Sequence, residues 1–391
     1  MLRAGSTVTI TPEDVTGGAG IIPIDYKNLT QDAKVGNTIL MDDGLLELEV
    51  IEKSEKDLKA KVIVGGKIKE RKGVNLPNVY ISIPAMTKKD IKDLEFGLKQ
   101  DVDIVAISFV RSAKDIQELI SRIRAKDSNA AIVAKIEKPE AVDTINDIIQ
   151  ETDGIMVARG DLGIERPSEQ VPMVQKSIIE KCRLAGKPVI TATQMLDSMM
   201  SNPRATRAES SDVANAVLDG TDAVMLSGET AAGSYPLEAV KTMHNICCNV
   251  ENKADYIYNS LGYRKPEWKE KQVVESIAYS CVRIAENVDA EAISTITHSG
   301  NTARRIAKFR PKVPIIAFTE SHKVRRQLNL VWGVKPVHIE QIFDTDKSVR
   351  LMEDYISKNG WAVKGDRIII ATGLPIAKKG RTNMVKVSTI E

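Results

Sequence analysis

Five short apolar runs, each followed by a stretch with helical periodicity, lie between Met86 and Val250 and constrain the chain more than any other feature. They read DIVAISFV (Asp103–Val110), AAIVAKIE (Ala130–Glu137), GIMVARG (Gly154–Gly160), KPVITATQ (Lys187–Gln194) and AVMLS (Ala223–Ser227). Such runs behave as strands buried on both faces, which occur in parallel sheets covered by helices. The intervening segments Glu140–Glu151 and Val171–Ala185 have helical character, while Ser112 and Pro236 stand at the starts of two more helices as start signals should. Glu137, Asp161 and Thr193 are each about one strand-plus-helix unit apart, the spacing of a (β/α)8 barrel with eight units in roughly 250 residues. In parallel α/β folds the C-terminal strand ends share one face, and ligands bind there.

Three of those ends carry chemistry. MVARGDLG (Met156–Gly163) delivers Arg159, Gly160 and Asp161 to the start of a helix. A helix start presents unpaired N–H groups to an anion, Gly permits close approach of the backbone, and a carboxylate there can hold a hard divalent cation. AKIEKPE (Ala134–Glu140) ends its strand with Lys135 and Glu137, and ITATQMLDS (Ile190–Ser198) ends another with Thr191 and Thr193. Taken singly, each residue reads more readily as a strand-end cap or a surface ion pair than as a site residue. Together, a lysine, two acids and a hydroxyl at successive ends of one sheet point to a phosphoryl or carboxylate site with a metal.

At 391 residues the chain should hold two or three domains. Ser6 to about Tyr80 alternates in short turn-punctuated runs, as a small antiparallel β domain does. Its GGAG segment (Gly17–Gly20) has no strand–helix context and reads as a turn rather than a phosphate loop. From about Glu275 a second α/β region begins, with strands near Glu291–Thr297, Val313–Ala317 and Arg367–Thr372 in an open, mostly parallel sheet. Within it THSGNTARR (Thr297–Arg305) is either a phosphate-binding turn or an ordinary polar βα turn. The formal net charge of +2 implies no nucleic-acid or membrane partner. Cys182, Cys247, Cys248 and Cys281 show no metal spacing and suit reduced thiols, no apolar run is long enough to span a bilayer, and MLRAGSTVTI is no signal peptide. A cytoplasmic location is expected.

The combination of MDDG, KGVNLP, SFVR, KIE, MVARGDLG, TATQMLDSM and the long run Asn202–Pro236 (NPRATRAESSDVANAVLDGTDAVMLSGETAAGSYP) resembles the pyruvate kinases, over essentially the whole chain. That resemblance implies a (β/α)8 barrel with an inserted small β-barrel lid and a C-terminal open α/β regulatory domain, assembled as a homotetramer. In this sequence the barrel is incomplete, at about five strands. The regions fall at 1–80 (lid), 81–255 (partial barrel) and 256–391 (C-terminal domain). The implied reaction, the last of glycolysis, moves a phosphoryl group from phosphoenolpyruvate to ADP, giving ATP and pyruvate.

The resemblance also implies residue roles. Lys135 sits by the transferring phosphoryl group; Glu137 and Asp161 hold Mg2+ or Mn2+; the N–H groups of Gly160 and Asp161 cradle the substrate carboxylate. Thr193 contacts substrate and joins the proton path to the enolate with Ser227, through water because a hydroxyl is a poor acid. Arg159 braces the site. In the lid, Asp43 and Lys72 resemble residues that approach metal and nucleotide on closure, or are plain β-turn charges. Thr297, Ser299, Gly300, Asn301 and Thr302, with the Thr372–Asn383 stretch, match a sugar-phosphate effector site. Family members carry about three further barrel strands ahead of the lid, including the usual K+ ligands and some nucleotide contacts, and no counterpart occurs here. A truncated reading of a longer protein, with two exposed sheet edges and doubtful activity, is therefore expected, and no phosphohistidine-type domain is expected after Glu391. Two other readings stay open: a metal-dependent lyase or aldolase acting on pyruvate enolate, and a non-catalytic pyruvate kinase fragment.

Overall fold

The computed structural model describes all residues except 19, 43, 69, 71, 78, 80, 83, 254–272, 343 and 377–379. The domain limits drawn at 80 and 255 fall at or within these gaps. The first region forms six strands, β1 (Thr7–Thr11), β2 (Ile21–Pro23), β3 (Thr38–Met41), β4 (Leu46–Lys53), β5 (Leu58–Val64) and β6 (Val74–Asn75), in the order β2-β1-β5-β4-β3-β6. Period-2 alternation puts Val8, Ile10, Leu46, Leu48, Val50, Leu58, Ala60 and Val62 into one core, as a half-buried sheet requires. The pairing is antiparallel except for β1 and β2, which run parallel. The connection between them, which contains Pro12 and the GGAG segment, crosses over instead of folding into a hairpin.

The five apolar runs become β7 (Ile104–Ile107), β8 (Ala131–Ile136), β9 (Gly154–Ala158), β10 (Val189–Ala192) and β11 (Ala223–Met225), all parallel and in sequential order. β7 and β11 are the edges of this sheet, so the barrel is incomplete. One face, with Ile132, Ala134, Ile136, Ile155 and Val157, packs on helices Ala113–Arg124, Ile145–Glu151 and Val171–Ala185. The opposite face gathers Val133, Met156 and Ala192 with Ile104, Ile190 and Met225 into a smaller inner core. The segment read as one helix over Glu140–Glu151 is two, Pro139–Asp143 and Ile145–Glu151. Thr144 breaks it: its hydroxyl turns back to the carbonyls of Glu140 and Arg111, competing with the helical ladder.

The last region is an open sheet of β12 (Ala292–Ile296), β13 (Ile315–Thr319), β14 (Val334–His338), β15 (Arg367–Thr372) and β16 (Met384–Thr389), in the order β14-β13-β12-β15-β16. It is parallel apart from β16, and apolar clusters cover both faces. β14 and β16, absent from the sequence reading, are its edge strands. Pro336 sits in β14, where a missing N–H is tolerated. This sheet docks against the N-terminal ends of the barrel strands: Arg326 Nε lies 2.6 Å from Asp103 Oδ2, and Arg310 Nη2 lies 3.0 Å from Asp222 Oδ2. Asp103 and Asp222 immediately precede β7 and β11, so the docking pole is opposite the strand ends that carry the candidate residues. Among the described residues no helix is long and apolar enough to cross a membrane.

Candidate functional site

Counting in twos from Ile104 and Val133 puts Ser108, Lys135 and Glu137 on the inner side of the sheet at its C-terminal rim. Lys135 Nζ donates to Ser108 Oγ at 2.8 Å and lies 2.8 Å from Glu137 Oε1. Glu137 is only 1% exposed, and its Oε2 accepts the N–H of Phe109 at 2.6 Å. Its Oε1 is fully buried, and its one close charged neighbour is the Lys135 ammonium, whose approach is not aligned as a regular hydrogen bond. Phe109 reaches its position with φ +54°, a left-handed conformation that costs of order 1 kcal/mol in a non-glycine residue.

The helix Arg159–Glu165 starts directly at the end of β9. The Arg159 guanidinium pairs with Asp212 at 2.6 Å and donates to the carbonyls of Thr193 at 2.9 Å and Gln194 at 3.2 Å. Those two residues have φ of +68° and +53°, unusual for a β-branched threonine, and Arg159 holds the turn they make. The Thr193 hydroxyl donates to the Ala192 carbonyl at 2.7 Å and accepts the Gly160 N–H at 2.8 Å. Asp161, in the first turn, lines a cleft of about 790 Å³ together with Ser108, Phe109, Lys138 and lid residues Val74 and Asn75. Lid and barrel are tied beside it, where Asn75 Nδ2 donates to Glu165 Oε1 at 3.0 Å and Lys138 pairs with the same buried carboxylate.

Ser227 ends the fifth strand run. Its N–H and that of Leu196 donate to the two oxygens of Glu229, which is 3% exposed, at 2.8 and 3.0 Å. The segment after Thr193 is fixed again by Glu209, which accepts from Ser198 N at 2.7 Å, Ser198 Oγ and the Thr206 cap. Partial burial pulls the Glu209 carboxyl upward, but these hydrogen bonds outweigh it and hold the group below the usual glutamate range. In the lid, Lys72 pairs with buried Asp42 at 2.6 Å, and Asp43 lies outside the described residues.

Among the described residues no group of three or more His, Cys, Asp or Glu side chains forms a metal cage. Glu137 and Asp161 nevertheless fit Mg2+ or Mn2+ of the kind held by one or two carboxylates, with substrate oxygens and water completing the shell. In the C-terminal domain, Thr297, Ser299, Asn301 and Thr302 line a pocket of about 220 Å³ with Thr372, Arg381 and Thr382. Gly300 is absent from its lining; it makes the turn, at φ +79°, from which the helix Asn301–Ala307 starts. Thr302 and Thr382 are joined hydroxyl to hydroxyl at 2.7 Å.

The model of the pyruvate kinase barrel domain matches residues 1–240, and that of the pyruvate kinase alpha/beta domain matches residues 275–388. The chain belongs to the pyruvate kinase family. Pyruvate kinases of two Staphylococcus aureus strains, MRSA252 and bovine RF122 / ET3-1, are each 46% identical to it over all 391 residues. The chain spans 66% of the length of each of these relatives. A crystal structure of a pyruvate kinase from Cryptosporidium parvum superposes with a TM-score of 0.90 at 39% identity, covering 100% of this chain and 79% of that one.

Lys135 and Glu137 meet directly, Gly160 meets Thr193, and Asp161 opens onto the lid cleft. Ser227 joins this rim through Glu229, whereas Lys72 is engaged within the lid. Four partners escaped the sequence reading: Ser108, the Phe109 N–H, Asp212 and Glu229. Ser108 had a usable signal, since it directly follows β7 and lies at the same rim and on the same face as Lys135, the penultimate residue of β8 one unit later.

Proposed function

We propose that this chain is the lid, partial barrel and C-terminal part of a pyruvate kinase that transfers the phosphoryl group of phosphoenolpyruvate to ADP. The observation that carries the reading is the strand-end pair of Lys135 and buried Glu137 at 2.8 Å, with Asp161 on the neighbouring cleft wall. Phosphoryl transfer demands fixed positive charge beside the moving group more than covalent chemistry from the protein. Lys135, oriented by Ser108, supplies that charge. Glu137 and Asp161 would hold Mg2+ or Mn2+. Bound there, the cation would neutralise phosphate oxygens and polarise the enolate oxygen.

The Asp161 N–H, and the Gly160 N–H when it leaves Thr193, receive the substrate carboxylate. Because the Thr193 hydroxyl is committed to the Ala192 carbonyl, it orients a water that protonates the enolate, with Ser227 on the same path. Lys72 and Asp43 approach the nucleotide as the lid closes. Thr297, Ser299, Asn301 and Thr302 take the phosphate of a sugar-phosphate effector, with Gly300 shaping the loop. The same proposal includes a homotetramer, a cytoplasmic glycolytic setting and the K+ dependence usual in the family.

The test is Mg2+-dependent ATP formation from phosphoenolpyruvate and ADP, with pyruvate measured in parallel. Equal yields of ATP and pyruvate are expected once the chain is joined to the barrel strands that its longer relatives carry. Pyruvate release without ADP would favour the lyase reading, and no turnover in the joined protein would sink the kinase assignment.

A further inference from the structure

Six basic side chains converge where the C-terminal sheet meets the base of the barrel: Arg183, Lys187, Arg304, Arg305, Lys308 and Arg310. The acids among them are fewer. Glu275 pairs with both Arg305 and Lys308, Asp222 pairs with Arg310, Asp153 acts on Lys187 and Arg304, and Glu180 acts on Arg183. Lys187, Arg304 and Lys308 also donate to the carbonyls of Thr152, Ser299 and Leu184, which satisfy hydrogen bonds without cancelling charge.

Between these groups lies a cavity of about 10 Å³, walled by five basic residues, Arg183, Lys187, Arg304, Lys308 and Arg310, and by a single carboxylate, Asp222, which is already paired with Arg310. That space is open to the centre of a water-sized sphere, so the cavity admits a single small guest. Two N–H groups on its lining residues, Arg183 Nε and Arg310 Nε, are fully buried and have no acceptor among the described residues. Arg310 itself is 3% exposed. Burial first, and then the neighbouring charge of Arg310, pull Arg183 below its ordinary range, so the two guanidinium groups feel each other. A buried charged donor left without an acceptor forfeits its hydration with nothing in return. Two of them in an excess of positive charge call for an acceptor that also carries a negative charge.

We propose that this seam is a binding site for a monatomic anion, chloride in ordinary media, that accepts from Arg183 Nε and Arg310 Nε. A water would satisfy the geometry but leave the charge excess, and a monatomic anion is the smallest guest that supplies both an acceptor and a negative charge. Arg183 belongs to the barrel and Arg310 to the C-terminal domain, so the anion stitches the two together. It is independent of the catalytic reading.

Two measurements on the whole chain test this. Crystals grown or soaked with bromide should show an anomalous peak between Arg183 Nε and Arg310 Nε. At matched ionic strength, chloride should raise the thermal midpoint by about 2 °C over gluconate, which is too large to enter. In Arg183→Gln both the peak and the chloride-specific increment should vanish. Absence of bromide from the seam overturns the proposal, as does equal stabilisation by chloride and gluconate. Should Arg183→Gln fail to fold, the bromide map of the unaltered chain alone decides the matter.

Discussion

Lys135 stands between an obligatory neighbour and a replaceable one: Glu137 is buried and must keep a counter-charge, while Ser108 only orients the ammonium. Lys135→Met should therefore lower phosphoryl transfer in the joined enzyme by ~10²–10³-fold or more, the size of a lost preorganised electrostatic contact. Mn2+ binding, followed by electron paramagnetic resonance, should survive because both proposed carboxylate ligands remain. Transfer near the unaltered rate would refute the role given to Lys135. Gly160 supplies a second test. A Cβ built there comes no nearer than 3.4 Å to any atom outside its own turn of helix, the closest being Thr193 Oγ1. Gly160→Ala should keep the unfolding free energy within the ±0.5 kcal/mol usual for harmless substitutions, yet raise KM for a carboxylate substrate several-fold by crowding the N–H groups. An unchanged KM would remove the carboxylate cradle from this turn. At this scale the sequence was informative wherever partners share a strand end. Arg159 could be read as a brace because its neighbours carry the motif, but Asp212 and Glu229 are long-range partners whose carboxylates look like ordinary helix charges until the chain is folded.

At the scale of elements, the long runs were legible and the short ones were not. β7 to β11 follow the five apolar runs because burial on both faces demands continuous hydrophobicity, and helix Val171–Ala185 matches its reading residue for residue. β14 and β16 were hidden because edge strands mix polar residues, and in one case a proline, into the pattern. The break at Thr144 depends on a side-chain hydroxyl meeting a carbonyl, which no periodicity reveals. One element also carries a pH signature. Glu209 serves the capping box of helix Arg207–Asp219 and the Ser198 turn together. Since its folded pKa is depressed, its contribution is complete above the unfolded value near 4.3 and is lost as pH falls through the lower folded value. Glu209→Ala should cost about 1 kcal/mol at neutral pH, and the gap between the two proteins should close below about pH 4. Urea melts of both across that range check the sign; a gap that widens in acid contradicts it.

The whole molecule is held by contacts that sequence could not announce. Asp103, Asp222, Arg310 and Arg326 belong to no motif in the sequence, yet they join the C-terminal sheet to the base of the barrel. Asp222 is the centre of this joint. One of its oxygens accepts from Val189 N and Arg310 and the other from Trp332 N, with both side chains of the ion pair under 5% exposed. Removing one partner of such a buried pair costs ~3–5 kcal/mol, because the other charge is left stranded. Asp222→Ala should lose that much and should split a single calorimetric transition into two, barrel and C-terminal domain melting apart. One cooperative transition at unaltered midpoint would show that the joint is not structural. The Val189 N–H that Asp222 grips is the first of β10, and Thr193 follows the last residue of that strand. A four-residue strand in a close-packed sheet is a strut of roughly 13 Å that neither stretches nor buckles. Whatever tilts the C-terminal sheet thus tilts the far end of the strut as well, and hydrogen exchange at Thr193 should report on a change made only at Asp222.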